Sequence, residues 1–126
     1  MKIEQVVTED APKAIGPYSQ GTIGNGFVFC SGQIPADSKT GELVGGSITE
    51  QTRQALSNVK GVIEAAGSTM NKVLKVTVFL KNMNDFSEMN TEYSKWFSEP
   101  PPARAAVEVA RLPKDVDVEI EAIALL

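Results

Sequence analysis

Residues 47–67 carry the marks of one amphipathic helix, and the rest of the chain must offer a surface for its apolar stripe. Ser47-Ile48-Thr49-Glu50 matches a capping box, in which the Ser and Glu side chains each satisfy a backbone N–H left free by the first turn. Ile48, Ala55, Leu56, Val59, Ile63 and Ala66 then recur at helical spacing, and Gly67 supplies the stop. The flanking segments read as the strands such a helix packs on. Gly21-Thr22-Ile23 and Phe27-Val28-Phe29-Cys30 lie on either side of Gly24-Asn25-Gly26, the pattern of a tight hairpin. Residues 73–80 read as a further strand, with Leu74, Val76, Val78 and Leu80 on one face.

The remaining segments complete the pattern. Residues 2–7 predict a short first strand, and a turn-prone stretch follows through Pro12, Gly16 and Pro17. Residues 35–47, rich in Gly with Pro35, Asp37 and Ser38, read as a loop. Asp85-Phe86-Ser87-Glu88 opens a second helix, whose stripe is Phe86, Met89, Tyr93, Trp96 and Phe97 and whose end is set by Pro100-Pro101-Pro102. Residues 103–125 alternate in period two around a turn at 112–115, which predicts a C-terminal antiparallel hairpin. The order β, hairpin, α, β, α, hairpin predicts an α+β fold, a sheet with two helices covering one face. On the last two strands Val107 and Val109 alternate with Arg104, Ala106 and Glu108, and Val116, Val118 and Ile120 alternate with Asp117, Glu119 and Glu121. The face without helices is either solvated or meets other subunits, and periodicity leaves both open.

At 126 residues the chain predicts one domain, spanning 1–126. No apolar run approaches the ~18 residues of a membrane span, and the N-terminus lacks the pattern of a signal peptide, which points to the cytosol. There is no His, and Cys30 is the only Cys. Within one chain that excludes His/Cys zinc sites, Ser-His-Asp triads, Cys-His pairs and internal disulfides. Catalysis has to rest on Arg, carboxylates, Tyr, Ser, Asn, backbone groups and water. The formal net charge is −4 with no basic cluster, which disfavours nucleic acid as a partner.

Several separated blocks are similar to one known family. They are Ala14-Ile15-Gly16-Pro17-Tyr18-Ser19-Gln20, Ser31-Gly32-Gln33-Ile34-Pro35, then Asn90, Tyr93 and Phe97, then Pro102-Ala103-Arg104, and last the stretches 107–115 and 119–122. In register and in order from about residue 8 to the C-terminus, they resemble the Rid family, whose founding members were called YjgF-type proteins. The resemblance implies a chorismate-mutase-like α+β fold that trimerises through its sheets, with clefts between subunits. It implies hydrolysis of the reactive 2-imino and enamine acids released by pyridoxal-phosphate enzymes, 2-iminobutanoate and 2-iminopropanoate among them, to 2-keto acids and ammonia. It implies no cofactor and no metal for the hydrolysis itself.

Each candidate residue has a functional and a plainer reading. Arg104 can grip a substrate carboxylate with two parallel hydrogen bonds; the plainer reading is a surface Arg paired with Glu108. Glu119, in a partly desolvated cleft, can move protons between water and the imine nitrogen; otherwise it is one of a solvated acidic row. The resemblance favours the functional reading of both. Tyr18 sits in a Gly-Pro-Tyr turn that either presents its ring and hydroxyl to substrate or packs it on the core. Ser31 either offers hydroxyl and N–H groups to substrate or is an ordinary strand-end residue. Asn90 interrupts an apolar stripe, so its amide needs a partner, in the substrate or in structure such as the Pro-rich loop. Cys30 reads as a small buried hydrophobe, and Ala106 stands where many relatives of the resembled family carry Cys.

Three functions compete on these residues. The first is a 2-iminobutanoate/2-iminopropanoate deaminase. The second is a metabolite-binding regulatory module using the same intersubunit clefts, and the third an RNA-cleaving translation inhibitor, which the acidic balance disfavours. Arg104 serves the first two alike; an acid such as Glu119 is needed chiefly by an enzyme.

Overall fold

The computed structural model describes residues 2–126. Six strands and two helices follow in the order β1 (Glu4–Val6), β2 (Gly21–Gly24), β3 (Phe27–Gln33), α1 (Ile48–Ala65), β4 (Val73–Leu80), α2 (Phe86–Tyr93), β5 (Ala103–Glu108) and β6 (Val118–Leu125). One sheet holds all six strands in the spatial order β1-β2-β3-β6-β4-β5. Every pairing is antiparallel except β4–β5, which is parallel and connected through α2. The sheet is mixed, with both helices on one face.

The hairpin and the first helix form as their local chemistry dictates. Asn25 and Gly26 take positive φ values of 52° and 80°, as a two-residue turn matched to strand twist requires. The Ser47–Glu50 capping box is made, with the Glu50 N–H donating to Ser47 Oγ at 3.2 Å. The apolar stripe of α1 lies on the sheet, where Leu56, Val59, Val62 and Ile63 are fully buried. Each contributes roughly 1.5–3 kcal/mol relative to exposure. Their partners are Val28, Val76, Val78, Leu80, Val118 and Ile120, on the covered face of the central strands.

Three expectations are corrected. Residues 103–125 are not a hairpin, because β4 lies between β5 and β6 and pairs with both. Alternation assigns faces but not neighbours; here the crossover through α2 delivers β5 parallel to β4, and the loop 109–117 is long enough to step across one strand. The second helix ends at Tyr93, well before the prolines. Beyond it the backbone tightens into three-residue turns, with the Lys95 N–H donating to the Glu92 carbonyl at 3.1 Å and the Trp96 N–H to that of Tyr93 at 3.0 Å. The buried Glu92 carboxylate accepts from Trp96 Nε1 at 3.0 Å and Lys95 Nζ at 3.2 Å. Finally, Leu74 does not share a face with Val76, Val78 and Leu80. A register shift between Val73 and Lys75 turns Val73 inward and leaves Leu74 43% exposed.

The segment 8–20 crosses behind α1 as a strap. A Cβ at Gly61 would meet the Asp10 carbonyl carbon at 2.8 Å, so the strap seats against the helix only because Gly61 has none. Buried Gln20 ties it down by accepting from the Thr8 N–H at 2.8 Å and donating to the carbonyls of Thr8 and Pro12 at 3.0 and 2.8 Å. This strap carries Tyr18.

Candidate active site

Arg104 projects from β5, an edge strand, on the helix-covered side, for its register partner is Val76. There α2 presents Phe86, Asn90 and Tyr93 along one face at spacings of four and three residues. The guanidinium carbon lies 4.6 Å from the centre of the Tyr93 ring and 5.5 Å from that of Phe86. Nη1 donates to Asn90 Oδ1 at 2.6 Å, which is the side-chain hydrogen bond Arg104 makes among the described residues. The remaining N–H groups of the fork are free to take an anion, a carboxylate above all. Glu108 is not the partner of Arg104; its Oε1 accepts from the Met83 N–H at 2.8 Å. The amide of Asn90 finds its partner in Arg104 rather than in the Pro-rich loop.

Glu119 projects from β6 on the opposite, uncovered face, across from Phe79 of β4. Its carboxyl lies over Gly32 of β3, where a Cβ would stand 3.0 Å from Glu119 Cδ. Partial burial, reinforced by the neighbouring charge of Glu121, raises the Glu119 pKa above the ordinary carboxylate value. Tyr18, Ile15, Gly32, Ile34, Lys114 and Glu119 line one open cavity of about 650 Å³. Tyr18 is 52% exposed at its mouth. Ser31 is a tie for that wall: its hydroxyl donates to the Ser19 carbonyl at 2.6 Å and its N–H to the Gln20 carbonyl at 3.0 Å. Both donors are thus engaged in holding the Tyr18 loop on β3.

Within one chain the candidate residues therefore fall into two groups. Arg104 and Asn90 belong to the edge formed by α2 and β5, while Tyr18, Ser31 and Glu119 belong to the uncovered side of β3 and β6. The sheet lies between them. Phe86 and Tyr93 are parts of these groups that residue-type reasoning did not single out as site residues; the aromatic spacing around Asn90 was a visible signal for both. Cys30 is buried, and burial together with the charge of Glu121 pushes its thiol up to about 12, so it is no thiolate nucleophile near neutral pH. Among the described residues no three of His, Cys, Asp and Glu gather to ligate a metal. No helix among the described residues is long and apolar enough to cross a membrane.

The uncovered face is not simply polar. It carries Phe29 at 46% and Val107 at 42% exposure beside Thr77, Glu119 and Glu121. Two helices on one face of a six-stranded mixed sheet make this a chorismate-mutase-like α+β protein. Residues 8–126 match the family model described as Endoribonuclease L-PSP. A RutC family protein of Pyrococcus horikoshii is 60% identical over 121 residues, 96% of each chain. The 2-iminobutanoate/2-iminopropanoate deaminase of Salmonella typhimurium is 52% identical over 123 residues, 95% of each chain. The crystal structure of Escherichia coli TdcF with bound serine matches with a TM-score of 0.92 at 43% identity, covering 98% of both chains. The chain belongs to this family, the Rid or YjgF-type proteins.

Proposed function

We propose that this protein hydrolyses small 2-imino acids, such as 2-iminobutanoate and 2-iminopropanoate, to 2-keto acids and ammonia in clefts between copies of the chain. The observation that carries the reading is the guanidinium of Arg104, seated on two aromatic rings and Asn90 with the rest of its fork unpaired. Such a fork suits a carboxylate held in one orientation, which fixes the adjacent C=N carbon. That a relative holds serine and others are named deaminases supports a small carboxylate substrate with nitrogen on the next carbon.

The chemistry asks for one group that gives and takes a proton. Glu119, its pKa raised, protonates the imine nitrogen in its neutral form. As a carboxylate it then accepts a proton from water, whose oxygen bonds to the imine carbon and yields a carbinolamine. Proton return to nitrogen expels ammonia as the C–N bond breaks, and the carbinolamine hydroxyl gives its proton back to the Glu119 carboxylate as the C=O bond forms, which restores the acid. Tyr18, Ile15 and Ile34 line the same cavity as Glu119 and give the substrate side chain an apolar wall. Glu119 and Arg104 act on one substrate when a second copy brings its edge against the uncovered face of the first. The exposed Phe29 and Val107 suit that face for such a contact, and the family supports a trimer.

The test couples a threonine or serine dehydratase to this protein in the presence of semicarbazide. Semicarbazone from the released imine falls as the protein is added. A signal unchanged at excess protein contradicts the proposal.

A further inference from the structure

We infer that Tyr93 is a positioning residue for Arg104: its ring face sets the plane of the guanidinium, and with it the direction in which the free edge of the fork meets a carboxylate. The inference rests on the carboxylate-binding role proposed for Arg104. One hydrogen bond, from Nη1 to Asn90, leaves the guanidinium free to swing about that bond. A flat surface beneath it removes this freedom, and the Tyr93 ring, at 4.6 Å, is closer than that of Phe86. Attraction between the cation and the ring face holds the two together.

The seat is itself packed in place. Tyr93 is 6% exposed and packs on Phe97 with ring centres 4.9 Å apart. The preceding residue, Glu92, is anchored by Arg53, Lys95 and Trp96. The Tyr93 hydroxyl is buried and has no hydrogen-bond partner among the described residues. An unpaired buried hydroxyl opposes stability, so the ring, not the oxygen, carries the contact with Arg104. Burial raises the phenol pKa against the opposing pull of Arg104 and keeps the ring neutral.

Three variants separate the ring from the volume it fills: Tyr93→Phe keeps the π face, while Tyr93→Leu and Tyr93→Met keep apolar bulk without one. KM and kcat are measured for enzymatically generated 2-iminobutanoate. Affinity for the product 2-oxobutanoate and cooperative melting are measured on the same samples. Loss of the ring is expected to raise KM and the 2-oxobutanoate Kd roughly five- to thirtyfold, with kcat little changed. Tyr93→Phe is expected to restore both constants to within about twofold of wild type. Folded Leu and Met variants with normal KM and Kd overturn the inference, as does a Phe variant as impaired as they are; if Leu does not fold, Met decides. A wild type that neither turns over the imine nor binds 2-oxobutanoate overturns both this inference and the function it rests on. A wild type that does both, is impaired by Arg104→Lys and is indifferent to Tyr93→Met overturns this inference alone.

Discussion

Arg104 and Glu119 present opposite problems of solvation. The guanidinium lies over the Tyr93 and Phe86 rings and donates to Asn90, contacts that limit its motion before any ligand arrives. Lys at this position keeps the charge but offers no planar fork. Charge-assisted hydrogen bonds contribute about 1.5–3 kcal/mol, so Arg104→Lys is expected to lower kcat/KM roughly ten- to a hundredfold and Arg104→Ala further. Steady-state assay of both variants, with their oligomeric state checked, decides this. Glu119 by contrast is partly buried beside Glu121, and both the burial and the neighbouring charge favour its neutral form. The sign follows: a raised pKa keeps the proton donor populated to higher pH, and activity falls as pH rises through that value. A pH–rate profile is expected to show this falling limb above the ordinary carboxylate range, and Glu119→Gln to remove the limb along with most of the activity.

At the scale of elements, the strap 8–20 is the device that carries Tyr18 to the cavity, and its seat is Gly61. Ala is the better helix former, so propensity alone predicts a gain of up to about 1 kcal/mol from Gly61→Ala. Overlap of the new methyl with the Asp10 backbone reverses this, and a loss of about 1–3 kcal/mol is expected by denaturant melt. A stabilised variant contradicts the strap contact. Much of the element layer was legible, since Asn25-Gly26 and the Ser47–Glu50 box act through their immediate neighbours. What stayed hidden depends on distant ones. Nothing in the alternation of 103–125 says that β4 intervenes between β5 and β6. Nor does the apolar stripe show that Glu92, a residue that composition would place in solvent, is buried at the end of α2. The site was legible as residue types, but not as two groups, because Val76 opposite Arg104 and Phe79 opposite Glu119 decide the faces.

At the scale of the whole molecule, a sheet with helices on one side and exposed Phe29 and Val107 on the other is a surface suited to further copies of itself. Sedimentation equilibrium is expected to give a homotrimer of about 40 kDa from a chain of 13.5 kDa. A monomer across the micromolar range contradicts it. In the proposed trimer Arg104 of one copy and Glu119 of another serve one substrate, and mixing two variants separates shared from single-chain sites. Arg104→Ala and Glu119→Gln chains, each inactive alone, are unfolded together in equal amounts and refolded. Shared sites predict recovery of about a quarter of wild-type imine hydrolysis, the fraction of interfaces that pair an intact Arg104 with an intact Glu119. No recovery in mixed trimers places the work of both residues within a single chain and rules out the shared site.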